Sequence, residues 1–193
     1  MTSASLTLVL GATGKTGSRV ANRLVSRGLP VRTAARSGAD AHFDWDYPET
    51  YAPALHGVNR VYLLGPVMRT DFADRVSVFL DRAAAAGVSH VTYLSAHGTD
   101  SAPPETAMRR AELDLVGRPG VTHAILRPAW FMQNFGETFL KPAGGAIAVP
   151  AGCPSFIAMG KSGRHRRSSR LPSHGNLRKS SCTAGKQVAS QHP

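Results

Sequence analysis

The sequence predicts an α/β protein built on a doubly wound parallel sheet, and three observations carry that prediction. An apolar run at residues 6–10 stops at Gly11, with glycines again at 14 and 17 and a helix-compatible stretch at 18–27 behind them. Five more short apolar runs follow, mostly alternating with helical patterns and broken by Gly or Pro. The 193 residues suffice for one such domain with a sizeable core and are too few for two comfortable ones.

The first strand, residues 6–10, runs into the turn at 11–17. Glycine is needed there because a Cβ would block the turn and hold a ligand's phosphates off the backbone. The N–H groups of the following first helical turn lack intrahelical partners and, with the helix dipole, attract an anion. Gly11, Gly14 and Gly17 therefore read as a pyrophosphate seat. A P-loop is the rival, since Gly14-Lys15-Thr16 resembles its end. That motif needs a glycine five residues before Gly14, and position 9 is Val, so Lys15 is not a Walker lysine.

Gly28 and Pro30 end the first helix, and residues 31–36 form the second strand. A fold of this type specific for NAD(H) places Asp or Glu about 20 residues past the glycines, on the ribose hydroxyls. Here that region carries Arg36 and Ser37, with Arg32 nearby and no acid until Asp40. A guanidinium and a hydroxyl suit a 2′-phosphate, so the cofactor expected is NADP, with NADPH preferred over NADH. The competing reading of Arg36 is a solvated loop arginine.

Residues 41–45 are the expected third strand, with Asp44 either near the adenine or capping the next segment. Residues 48–55 read as a short helix closed by Gly57, and 60–64 as the fourth strand, ended by Gly65-Pro66. Loops at the carboxyl ends of parallel strands line the ligand crevice, which makes Gly65 and Pro66 a candidate wall. In 71–86 the spacing of Phe72, Val76, Phe79, Leu80 and Ala83 gives an amphipathic helix whose stripe is core. Residues 88–95 and 121–126 are the fifth and sixth strands, separated by a helix at 105–116 that Pro103-Pro104 introduces. Beyond the sixth strand, Trp130, Phe131 and Asn134 put apolar aromatics beside an amide at the crevice mouth. They suit a flat substrate, or simply pack.

Composition narrows the function classes. Residues 1–5 are polar and uncharged, no apolar run reaches membrane-spanning length, and Cys153 and Cys182 make neither a disulfide framework nor a metal site. A cytoplasmic protein without membrane partner is expected. The net charge of +11 is uneven: residues 159–193 hold eight Lys or Arg and no acid, leaving 15 basic against 12 acidic side chains before them. That basic stretch has no aromatic residue to stack on bases and no reading motif, so specific nucleic-acid binding is not expected.

Taken together, GATGKTGSRV, ARSG, FDW (43–45), VYLLGP, YLSA (93–96) and LRPAWFMQNF (126–135) resemble the NmrA-like, atypical short-chain dehydrogenase family over about residues 6–157. They are most similar to the branch with the ergot-alkaloid festuclavine dehydrogenases and their bacterial relatives. The resemblance implies a Rossmann-like fold, NADP(H), and hydride transfer to a small organic substrate such as an iminium, quinone or enone. It implies Gly11, Thr13, Gly14, Lys15, Thr16 and Gly17 in the phosphate loop, Arg36 and Ser37 at the 2′-phosphate, and Ser95 at the end of the fifth strand. The family also includes redox-sensing regulators that bind cofactor without known turnover.

The chain departs from ordinary short-chain dehydrogenases, which follow that Ser with Tyr-x-x-x-Lys on the next helix. Residues 105–116 contain neither Tyr nor Lys, and Met108 stands where many relatives have the His of His-x-x-x-Glu. The remaining polar candidates are Ser95 and His97 as catalytic groups, with Glu112 read as a solvated helix residue. An iminium needs no proton on accepting hydride, which makes the absent tyrosine less damaging.

The expected division is a dinucleotide-binding domain at 1–158 and a disordered basic tail at 159–193. Relatives continue there into a small substrate-covering subdomain, with a phrase like Asp-Ile-Ala-x-Val-Ala. One codon choice for residues 164–170 reads Asp-Ile-Ala-Val-Ala-Ala when moved by one nucleotide, so the tail is read as a frame-shifted remnant. Three functional readings follow: an NADPH-dependent reductase, a cofactor-sensing binding protein, and an inactive truncated product.

Overall fold

A computed structural model describes residues 5–66, 69–131 and 156–157. Six parallel strands form one sheet: β1 (Thr7–Leu10), β2 (Val31–Ala35), β3 (Ala41–His42), β4 (Arg60–Leu64), β5 (His90–Leu94) and β6 (Thr122–Leu126), in the order β3-β2-β1-β4-β5-β6. A separate two-stranded parallel ribbon pairs β7 (Trp130–Phe131) with β8 (Phe156–Ile157). The helices are α1 (Gly17–Val25), α2 (Tyr51–Leu55), α3 (Ala73–Ala85) and α4 (Ala107–Gly117). This is the doubly wound, Rossmann-like α/β architecture that the sequence predicts.

The central strands β1 and β4 are buried on both faces, which explains their near-continuous apolar runs. Alternate residues point to opposite faces. Leu8 and Leu10 of β1, Val61 and Leu63 of β4, and Val91 and Tyr93 of β5 enter one core with α2, α3 and α4. Val9 and Tyr62 enter the other, with Ala21 of α1 and the partly buried Val20 and Leu24. The predicted stripe of α3 is buried throughout. Arg118, just past α4, ties α4 to α3: it donates to Asp114 and Asp81 at 3.0 and 2.6 Å and to the Ser77 carbonyl at 3.0 Å.

Two elements differ from expectation. The third strand stops at His42 instead of 45. Past it, the Asp44 N–H donates to Thr50 Oγ1 at 3.2 Å and the Asp46 N–H to Asp44 Oδ1 at 3.0 Å, so the backbone turns instead of pairing. The turn lets Phe43 and Trp45 join Tyr51 and Phe79 in a four-ring aromatic cluster, with ring centroids 5.0–5.8 Å apart. The stretch 48–55 is likewise a 3-10 turn (Pro48–Thr50) running into α2 rather than one helix. No helix among the described residues is long and apolar enough to cross a membrane. Residues 158–193, and with them the expected tail and its frame-shift reading, lie outside the described residues, as do Asn134 and both cysteines.

Candidate functional site

The site is built from the carboxyl ends of β1 to β4. Gly11 leaves β1 with φ +63°, a conformation that favours glycine. A Cβ on Gly17, the first residue of α1, would fall 2.7 Å from the Gly11 carbonyl carbon and 2.9 Å from Ala12 Cα. The start of α1 is thus pressed onto the backbone of the turn, an approach open only to glycine. A Cβ on Gly14 would stand 3.2 Å from the Gly11 carbonyl oxygen, which already accepts the Gly14 N–H at 2.9 Å. Thr13, Gly14 and Lys15 are exposed at the tip of the turn, whereas Thr16 and Gly17 are buried beneath it. Thr16 faces the sheet. Burial pushes the Tyr62 phenol of β4 up, and hydrogen bonding with the Thr16 side chain opposes that shift.

A cleft of about 350 Å³ opens beside this turn. Gly11, Thr13 and Gly14 line it on one side, Ala35 and Arg36 at the end of β2, Phe43 to Asp46 past β3, and Leu64, Gly65, Pro66 and Arg69 past β4. The loop past β2 leans on the glycine turn, for a Cβ on Gly38 would sit 3.7 Å from Thr13 Cγ2. Seven of the eleven cofactor positions expected from sequence therefore share one cavity: Gly11, Thr13, Gly14, Arg36, Asp44, Gly65 and Pro66. Lys15, Thr16, Gly17 and Ser37 do not line it. Gly17 and Thr16 shape the turn from below, and Lys15 and Ser37 are exposed beside it.

The charges around the cleft are sorted by hydrogen bonding. Asp40, the first acid past β2, takes the Thr33 backbone N–H at 2.9 Å and the Thr33 hydroxyl at 2.8 Å. Those bonds hold its carboxyl below the usual range and staple the β2–β3 loop. Arg32 does not serve the cleft. Its guanidinium donates to the Ala54 and His56 carbonyls at 2.9 and 2.6 Å and so satisfies the end of α2. Asp44 lines the cleft, and its Oδ1 closes a turn by accepting the Asp46 N–H rather than capping the following 3-10 segment.

Ser95 and His97 lie past β5, and neither lines the cleft. Ser95 is buried, and its hydroxyl donates to Glu112 Oε1 at 2.6 Å. Glu112 corrects the expectation of a solvated helix residue, because it is 0% exposed. Its carboxylate also accepts Arg127 Nε and Nη2, both at 2.9 Å, and Arg109 Nη1 at 3.0 Å. Burial alone would raise its pKa, but the bonds from Arg127, Ser95 and Arg109 outweigh burial and hold it below the usual range. Glu112 thereby joins α4 to the ends of β5 and β6. His97 is exposed and its backbone N–H donates to the Pro128 carbonyl at 2.9 Å. Trp130 and Phe131 form β7, and Phe131 does not line the cleft. Among the described residues no group of three or more His, Cys, Asp or Glu could hold a metal ion.

Sequence reasoning missed Arg69 and Asp46, which line the cleft and bond to each other at 2.8 Å. Nothing in their local spacing signals a contact between residues 23 apart.

A family model described as NAD(P)H-binding matches residues 11–146. An uncharacterized oxidoreductase of Bacillus subtilis, YesF, is 38% identical over 135 residues, covering 66% of this chain and 46% of that protein. Agroclavine dehydrogenase of Claviceps fusiformis is 34% identical over 140 residues, covering 66% and 47%. The chain spans about half the length of the curated relatives it matches. Among solved structures, the triphenylmethane reductase of Citrobacter sp. superposes with a TM-score of 0.59 at 21% identity, over 68% of this chain and 51% of that one. A short-chain dehydrogenase/reductase superfamily protein from Agrobacterium tumefaciens superposes with a TM-score of 0.54, also at 21% identity, over 66% and 50%. At these identities the structures share the fold.

Proposed function

Because the chain belongs to the NAD(P)H-binding family, we propose that it is an NADP(H)-binding oxidoreductase that reduces a small organic substrate by hydride transfer. The observation that carries this reading is the cleft in which Arg36 and the glycine turn stand together while Asp40 is engaged with Thr33. A cation at the end of β2, with the first acid past that strand bound to Thr33, favours a 2′-phosphate over ribose hydroxyls.

The residues fit the cofactor. The turn is tight because Gly17 lets α1 start directly against its backbone, and the first-turn amides of α1 with their dipole suit a diphosphate. Arg36 and Ser37 would hold the 2′-phosphate, Asp44 would border the adenine, and Gly65 with Pro66 would form the opposite wall. When bound, the reduced nicotinamide supplies hydride, and an iminium carbon that accepts it becomes a neutral amine with no proton required. That chemistry agrees with the chain's own acid groups. The α4 segment offers no Tyr or Lys, and the Ser95 hydroxyl proton is committed to Glu112. An iminium is therefore the favoured substrate class, ahead of a quinone or an enone, whose reduction needs an added proton. Relatives named agroclavine dehydrogenase in Claviceps and festuclavine dehydrogenase in Aspergillus fumigatus support the oxidoreductase reading.

The same commitment of Ser95 also favours a second reading, a protein that senses NADP(H) without turnover. Fluorescence titration with NADPH, then a screen of iminium, quinone and enone acceptors, separates the two. Binding with acceptor-dependent loss of NADPH absorbance supports the reductase. Binding alone supports the sensor, and no binding removes both.

A further inference from the structure

In the sheet β3 and β4 are separated by β2 and β1, so at roughly 4.8 Å per step their carboxyl ends lie about 14 Å apart. The loops that leave them nonetheless meet. Arg69, past β4, donates from Nη1 to both carboxylate oxygens of Asp46, past β3, at 2.8 and 3.2 Å. Its Nε and Nη2 grip Asp71 at 3.1 Å each. Arg75, in the first turn of α3, stands 3.3 Å from Asp46 and 3.5 Å from Asp71. Two guanidiniums and two carboxylates thus alternate, and the group is anchored on a helix. Asp46 and Arg69 both line the cleft. Hydrogen bonding from Arg69 holds the Asp71 carboxyl down at about 2, so that partner stays charged at any working pH.

We propose that Arg69 is a positioning residue that straps the cleft: it ties the loop carrying Asp46 to the loop carrying Arg69, and the tie must open before a nucleotide enters or leaves. The proposal rests on the cofactor reading above, and it assigns Arg69 to exchange of the nucleotide, not to contact with it. A strap that opens for passage in either direction slows entry and exit alike and leaves affinity nearly unchanged. Exposed ion pairs taken singly are weak, but a guanidinium shared between two carboxylates in a network holds better. The expected effect is therefore several-fold in rate, not orders of magnitude.

The test is stopped-flow fluorescence on the full chain, with NADPH binding followed directly and release followed by displacement with excess NADP+. Arg69→Gln and Asp46→Asn are each expected to speed both binding and release about three- to fivefold, with Kd within twofold of wild type. The double variant should be no faster than Asp46→Asn, which already removes the contacts of both Arg69 and Arg75 with that carboxylate. Added salt should speed release more from wild type than from Arg69→Gln, in which only the contacts to the phosphates remain to be screened, and Arg69→Lys should fall between. Unchanged rates would overturn the strap. So would a weakened Kd at an unchanged binding rate, which would make Arg69 a direct ligand. If wild type binds neither NADPH nor NADH, the cofactor reading fails first and takes the strap with it. Binding with unaltered exchange removes the strap alone.

Discussion

Gly17 cannot carry a side chain, and the reason differs from that at Gly11. A Cβ on Gly17 would strike backbone atoms of the turn, which have nowhere to go, whereas one on Gly11 would meet the flexible tip of Leu64 at 2.7 Å. Gly11→Ala mainly incurs the left-handed backbone penalty of about 1–2 kcal/mol. Gly17→Ala adds a clash of about 1–3 kcal/mol and pushes α1 off the turn. Urea denaturation should rank Gly17→Ala the less stable, and its NADPH affinity should drop at least tenfold. Equal stabilities would show that the turn relaxes. Glu112 is the other residue whose environment decides its role. Its pKa is depressed in the folded chain, so its bonds stabilise the fold above its ordinary value of 4.5 and that stability is lost as pH falls through the lower folded value. Glu112→Ala leaves two guanidiniums and a hydroxyl without their acceptor and should cost about 3 kcal/mol near neutral pH. The deficit should shrink in acid, where wild type loses the same bonds.

At the scale of elements, β1 and β4 were legible because burial on both faces writes them as continuous apolar runs, and α3 because its stripe recurs at three and four residues. The third strand was misread for a related reason. Phe43 and Trp45 look like strand core, yet they reach the aromatic cluster from a turn set by Asp44 and Thr50. Hydrogen bonds from short polar side chains overrode the apolar pattern there. Contacts between elements were not legible at all, since Glu112 with Arg127 and Arg118 with Asp81 join residues far apart in sequence. Arg118 is the clearest case of such a tie. Its side chain is 14% exposed and reaches Ser77, Asp81 and Asp114 at once. Asp81 is largely exposed, which discounts that pair, so Arg118→Ala should cost about 1–2 kcal/mol. Hydrogen exchange should then quicken in α4 before it does in β1.

For the whole molecule, the order β3-β2-β1-β4-β5-β6 places the reversal of strand order beside β1, where a nucleotide crevice forms in open α/β sheets. Most of that crevice was readable in advance, because the glycine turn, Arg36, Asp44 and Gly65-Pro66 all sit at strand ends that local patterns locate. The rim formed by Asp46 and Arg69 was not, because it depends on how two loops converge. The end of β5, where catalytic groups were expected, was read least well: Ser95 is a strand-end hydroxyl, but its partner is a buried carboxylate that looked like a surface residue. The central claim is that a diphosphate lies on the glycine turn while Arg36 selects the phosphorylated ribose. Its most direct test is the ratio of NADH to NADPH dissociation constants in wild type and in Arg36→Gln. Wild type should bind NADPH at least tenfold more tightly, a preference worth about 1.4 kcal/mol, and Arg36→Gln should erase it by weakening NADPH alone. Equal affinities in wild type, or a variant that weakens both cofactors alike, would contradict the assignment.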